Sequence, residues 1–298
     1  MRVQLMARRK VWFSISGALV LVSLLLLVLR GLNLGVEFTG GSLLDLTFER
    51  PVGTREVRRM LEEFGLGGAI IQRDVREPRR VFVRVPPLDG EERKRLMTAL
   101  QESISPLLSD EVRTVTPIIS RELVRNAAIA LALASAAMIV YITIRFEYKF
   151  ALVAIAALLH DVIVTLGLFS FLQVEVGAPF VAALLTIVGY SINDTIVVFD
   201  KIRENLRGTR KSVWTVVDES VNQVMMRSIN TSATTGLAIL AILLFGGKTT
   251  REFALALLAG VVAGTYSSIF LASPLWAVWK QREERVGWRR LRRSRRRR

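Results

Sequence analysis

Residues 150–172 read FALVAIAALLHDVIVTLGLFSFL, and this stretch decides the fold class. Its only ionisable side chains, His160 and Asp161, stand side by side near the centre. A helix rises about 1.5 Å per residue, so a run of this length crosses roughly 30 Å, the hydrocarbon thickness of a bilayer. A surface helix of a soluble protein would show a polar face, and none is present here. The stretch predicts a membrane-spanning helix with two costly groups inside it.

Working outward, five more stretches qualify: about Val11–Leu29, Arg125–Ile144, Ala178–Phe199, Met226–Phe245 (more polar at its start) and Phe253–Trp279. The first is too long for a signal peptide core, and RGLNLGVEF after it holds no small-x-small site, so it is expected to stay as an anchor. Composition agrees. The 298 residues are 51% hydrophobic and carry a net charge of +15, with a mean hydropathy of +0.40. Apolar and charged residues must therefore be segregated along the chain, which excludes a disordered chain and argues against a soluble enzyme. The absence of Cys removes disulfides and thiolate sites, and a single His removes any multi-histidine metal centre. No cofactor and no enzymatic activity are expected.

Lys and Arg set the orientation. The N-terminus carries Arg8, Arg9 and Lys10, the second-to-third loop Arg145 and Lys149, and the fourth-to-fifth loop Lys201, Arg203, Arg207, Arg210 and Lys211. The third-to-fourth loop, QVEVG, has none. Six spans with both termini in the cytoplasm follow. The tail 280–298 holds 11 basic and 2 acidic residues. It is expected to enforce topology and touch anionic lipid, at about 1 kcal/mol per nearby basic residue. A nucleic-acid role is not expected, because no motif and no aromatic interleaving beyond Trp288 accompany it.

Between the first two spans, residues 31–118 balance 13 basic against 14 acidic side chains, as a small folded surface would. Strand-like Ser42–Glu49, helix-like Thr54–Phe64, strands at Ala69–Val75 and Arg80–Val85, a helix over Asp89–Ile104 and a last strand at Glu111–Ile118 give the order βαββαβ. The predicted architecture is an α-helical polytopic membrane protein with six transmembrane helices and a small α+β, ferredoxin-like extracytoplasmic domain between the first and second. Its segments are 1–30 (N-terminus and first helix), 31–120 (outer domain), 121–279 (five-helix bundle) and 280–298 (basic tail). Asp45 and Glu49 share the first strand and read as solvated.

Ionisable groups inside spans cost a few kcal/mol on insertion scales and so point to function. Besides His160 and Asp161, with Thr165 one turn on, TIVGYSINDTIVVFD sets Thr186, Tyr190, Asn193 and Asp194 near one face of the fourth helix. In the fifth, Arg227, Asn230, Thr231 and Thr234 form a stripe. Interhelical hydrogen bonding accounts for the Thr residues at about 0.6 kcal/mol each, and Arg227 could snorkel to the interface. Neither explains a carboxylate. Desolvation favours the protonated acid and a neighbouring Arg the ionised one, so a moving Arg can switch an acid between holding and releasing a proton. Gly260 and Gly264 form a GxxxG, a smooth face for helix packing.

Four stretches also resemble a known family: GVEFTGGSLLDL from Gly35, RFEYKFALVAIAALLHDVIVTLG from Arg145, VGYSINDTIVVFDKIREN from Val188 and VNQVMMRSINTSATT from Val221. Nearly end to end, the chain is similar to the SecD/SecF family of protein-export membrane subunits. That resemblance implies a partner, SecD, forming with this chain two pseudo-symmetric six-helix halves of a resistance-nodulation-division type fold. It implies association with the SecYEG channel, use of the proton gradient to promote preprotein export after the SecA-driven steps, and contact of the outer domain with preprotein. By the same resemblance the proton relay falls on Asp194 and Arg227, with Asp161 of the HDV run a further member and the facing acid supplied by SecD. His160, Tyr190, Asn193, Asn230, Thr231 and Thr234 are the supporting polar residues. The run before the second span, Val115-Thr116-Pro117 and Ile119-Ser120, lacks the glycines of the family's VGP…VG pattern. The competing reading is a non-conducting scaffold that stabilises the translocon. An efflux role would need an outer domain larger than about 90 residues.

Overall fold

A computed structural model describes residues 4–74, 77–115 and 117–283. Nearly all of the basic tail, together with Val75 and Thr116, lies outside the described residues. The chain divides into two compact units, Leu34–Ala128 and Met1–Asn33 with Ile129–Arg298.

In the smaller unit, a single turn α2 (Val36–Thr39) leads into β2 (Gly41–Phe48), following the two-residue strand β1 (Asn33–Leu34). Then come α3 (Thr54–Glu63), β3 (Ile70–Arg73), β4 (Arg80–Val85), α4 (Gly90–Ser103) and β5 (Leu107–Val115). The four long strands form one antiparallel sheet in the order β3-β4-β2-β5. Alternation places Leu44, Leu46 and Phe48 on one face of β2, where they pack with Val81 and Val83 against Val57 and Leu61 of α3 and Leu96 and Leu100 of α4. Gly40 and Gly41 have φ of 74° and 123°, and a Cβ on Gly41 would lie 2.6 Å from the carbonyl oxygen of Val85, so no other residue fits that bend.

Two expectations change in this unit, at the last strand and at Asp45. The last strand is Leu107–Val115 and not Glu111–Ile118, because a proline at 117 favours the start of a helix. α3 is capped by Gly53 with no side-chain bond, whereas Asp89 caps α4 in a full capping box. Asp45 is not solvated: it is 7% exposed and takes Arg80 Nε at 2.8 Å and Nη2 at 2.7 Å. That bond raises the pKa of the Arg80 guanidinium above its ordinary value.

Helix α5 (Pro117–Arg145) continues into the larger unit. That unit also holds α1 (Arg9–Leu29), α6 (Tyr148–Leu172), the two-residue strand β6 (Glu175–Val176), α7 (Ala178–Leu206), α8 (Val213–Phe245) and α9 (Lys248–Ser267). A π turn, Ser268–Ala272, then carries the last helix on to residue 283. Among the described residues, six helices are long and apolar enough to cross a membrane. α9 packs on α6, α7 and α8, and α1 on α6. The core is knit by Phe150, whose ring lies 4.6 Å from Trp276 and 4.7 Å from Phe199.

Helix ends run past the hydropathy limits wherever a polar stretch is amphipathic. α8 starts at Val213, not near 226: Ser212 accepts from the Thr215 amide at 3.2 Å, and Val213, Val216, Val217, Val221 and Val224 bury one stripe. α7 continues to Leu206, beyond 199, because Ile202 is buried among charged neighbours, and α9 begins at 248, before 253.

Candidate functional site

Two clusters of buried polar groups in the larger unit lie along α7 and α9. Asp161 on α6 is fully buried. Its Oδ2 accepts the Ser191 hydroxyl of α7 at 2.6 Å and the Ser267 hydroxyl of α9 at 2.8 Å. Its Oδ1 lies 3.0 Å from His160 Nδ1. The His160 ring stacks on Tyr266, whose hydroxyl meets Ser16 of α1 at 3.1 Å. His160 Nε2 is buried with no hydrogen-bond partner among the described residues. Thr165 donates to the Asp161 carbonyl.

Asp194, three residues after Ser191, is 3% exposed. Its Oδ2 accepts the Ser232 hydroxyl of α8 at 3.2 Å. Thr265 of α9 donates to Ser232 at 2.6 Å, and the Tyr190 hydroxyl reaches the same oxygen at 3.5 Å. Among the described residues, no cation pairs with Asp194.

Gly260 and Gly264 are what let α7 and α9 meet. A Cβ on Gly260 would run into the Ile187 side chain, and one on Gly264 would lie 2.9 Å from Ser191 Cβ. Thr195 and Ser268 hydroxyls meet across the same seam at 2.7 Å.

Arg227 stands elsewhere. Ser232, five residues further along α8, is turned about 140° from it, so the helix cannot offer both to Asp194. Arg227 is exposed and lines a cavity of about 690 Å³ with Tyr141, Arg145, Asp200, Lys201 and Glu204. Both acids have partners: Lys201 reaches Glu204 at 3.0 Å and Arg203 reaches Asp200 at 3.1 Å. Asn230, Thr231 and Thr234 share the exposed side, the two threonines donating to carbonyls of their own helix. Asn193 is exposed as well, beside Met138 and Tyr141 of α5. The structure thus joins Asp194 to Tyr190 through Ser232, joins His160 to Asp161, and leaves the α8 stripe facing out of this chain.

Sequence reasoning missed Ser191, Ser232, Thr265 and Ser267, the donors themselves. The available signal was Thr265-Tyr266-Ser267-Ser268, four hydroxyls in a row inside an apolar span. Among the described residues no group of three His, Asp or Glu is placed to hold a metal.

Six apolar helices enclosing carboxylates on hydroxyl donors define a multi-pass membrane protein with ionisable groups in its interior. Comparison narrows the class. Residues 96–282 match the family described as protein export membrane protein SecD/SecF, C-terminal, and residues 25–52 match the SecD/SecF GG motif, which contains Gly40 and Gly41. The protein translocase subunit SecF of Sebaldella termitidis is 44% identical over 92% of this chain and 91% of that protein. The SecF of Pseudomonas aeruginosa is 40% identical over 91% and 89%. The crystal structure of SecDF, a translocon-associated membrane protein from Thermus thermophilus, superposes with a TM-score of 0.86 at 38% identity, covering 94% of this chain and 39% of that one. This chain belongs to the SecD/SecF family of protein export membrane proteins, and it is a multi-pass protein of the inner membrane.

Proposed function

We propose that this chain is an accessory subunit of the Sec protein translocase that, with SecD, uses the proton-motive force to promote preprotein translocation after the SecA-driven steps. The observation that carries the proposal is Asp194, a 3% exposed carboxylate on α7 held by Ser232, with no counter-charge among the described residues. Asp194 takes and releases the proton, and Arg227, on the exposed side of α8, faces the acid that SecD supplies. The second acid comes from outside: the chain spans about two fifths of the SecDF chain it resembles, and its α8 stripe of Arg227, Asn230 and Thr231 is exposed at membrane depth. Exposed amides and a guanidinium are costly against lipid, so SecD covers this side.

Both termini face the cytoplasm, on the Lys and Arg asymmetry of the loops. The smaller unit is a ferredoxin-like split βαβ domain on the outer side, a reading supported by its βαββαβ order and the β3-β4-β2-β5 arrangement. It contacts preprotein, the bundle associates with SecYEG, and the basic tail lies on anionic lipid.

The test is proton flux into vesicles containing this chain with SecD, comparing wild type with Asp194→Asn and Arg227→Gln. Each isostere keeps hydrogen bonding and removes titration or charge. Loss of flux in both supports the proposal. Flux absent in wild type, or unchanged in the variants, leaves the buried acids structural and makes the subunit a scaffold of the translocon.

A further inference from the structure

We infer that Asp161 is a positioning residue for Asp194: it pins the register between α7 and α9 on which the hydrogen bonds of Asp194 depend. The inference rests on the proposed proton-carrying role of Asp194. The resemblance groups Asp161 with the proton carriers, but its surroundings are those of a clamp. One atom, Oδ2, receives Ser191 of α7 at 2.6 Å and Ser267 of α9 at 2.8 Å, so three helices meet on a single oxygen. The other oxygen faces His160, whose ring stacks on Tyr266 of α9, and Tyr266 in turn reaches Ser16 of α1.

These bonds sit next to those of Asp194 on both helices. Ser191 precedes Asp194 by three residues on α7, and Thr265 precedes Ser267 by two on α9. A slide of α9 along α7 that broke Ser267 from Asp161 would draw Thr265 off Ser232, now 2.6 Å away, and Ser232 is the donor to Asp194. α9 needs such a pin, because its next residues, Ser268–Ala272, form a π turn, a place where helical register is locally irregular. The seam itself has no side chain at Gly260 or Gly264 to key it. A hydrogen bond at a fixed point supplies the key that small residues cannot.

Clamp and carrier differ in what an amide does to them. Asp161→Asn keeps an acceptor for both serines and offers an N–H toward His160 Nδ1, so the bonds can persist without an ionisable acid. Asp161→Leu keeps the volume and loses every bond. The test measures proton flux in vesicles holding the full chain with SecD for Asp161→Asn, Asp161→Leu and the double variant Ser191→Ala/Ser267→Ala. Disulfide trapping between Thr195→Cys and Ser268→Cys is followed in parallel, in a chain that has no native Cys.

The expected result is flux within about threefold of wild type for Asp161→Asn. In the double variant, losing two interhelical bonds lowers flux and trapping by roughly tenfold, and Asp161→Leu, where it inserts, falls at least as far. Loss of flux in Asp161→Asn equal to that in Asp194→Asn overturns the inference and makes Asp161 a carrier. Wild-type flux and trapping in the double serine variant overturn it as well. If Asp194→Asn alone leaves flux unchanged, the proton-carrying reading fails, while disulfide trapping still decides whether Asp161 sets the seam.

Discussion

Replacing Gly264 by Ala tests the α7–α9 seam with a single carbon. The added Cβ would lie 2.9 Å from Ser191 Cβ and 3.1 Å from its Cα and Oγ. Carbon atoms pack at about 3.5–4.0 Å, so the seam must open by roughly half an ångström. The atoms pushed are backbone and a two-atom side chain, which have no flexible end to swing away. Ser191 is also the residue that donates to Asp161, and its carbonyl receives the Ser268 hydroxyl at 3.4 Å. Overpacking of this kind costs about 1–3 kcal/mol, and each interhelical hydroxyl bond lost adds about 0.6 kcal/mol. Ala gains about 0.5–1 kcal/mol over Gly within a helix. The net expectation is a loss of about 1–3 kcal/mol. Gly236→Ala is the matched control, because its Cβ would meet only Leu258 Cδ1 at 3.7 Å, an ordinary contact, and should be neutral or slightly stabilising. Reversible unfolding in mixed micelles, followed by tryptophan fluorescence, measures both. Equal stabilities for the two variants would refute the claim that α7 and α9 touch through these glycines.

Gly41→Ala should lower the stability of the smaller unit by about 2–4 kcal/mol, combining a strained positive φ with a contact 2.6 Å from Val85 O, read as an earlier thermal transition. Asp45→Leu strips Arg80 of its buried partner and should cost about 1–3 kcal/mol. The Asp45 bond raises the folded pKa of Arg80, so the stability this gives is full below its unfolded pKa and is lost only in strong alkali. The difference between wild type and Asp45→Leu should therefore carry no pH dependence from Arg80 around neutrality, and a slope traced to Arg80 there would contradict the pairing. Ser232→Ala deprives Asp194 of its donor and should reduce proton flux about fivefold at unchanged protein level. Wild-type flux would show that Ser232 has no hold on the carrier.

Local signals settled a good deal of this molecule. The number and place of the spans were legible because hydropathy needs only about 20 consecutive residues to exceed the cost of crossing. The strand and helix order of residues 41–115 was legible because alternation and the Asp89 cap are written within a few residues of each other. Helix ends were less so: the polar start of α8 hid a buried valine stripe that only packing reveals. The candidate site divides in the same way. A carboxylate inside a span announces itself, so Asp161 and Asp194 stood out. Periodicity placed Arg227, Asn230, Thr231 and Thr234 on one face but did not say which way it turned, and the fold turned it away from Asp194. The serines that hold the two acids were invisible. A single hydroxyl costs little in an apolar helix, and its partner lies 30, 38 or 106 residues away. Residue type and spacing along one helix therefore determine what can be buried. Which groups meet depends on the rotation and register of helices against one another, and these are set only when glycines and hydroxyls of distant segments close the seam.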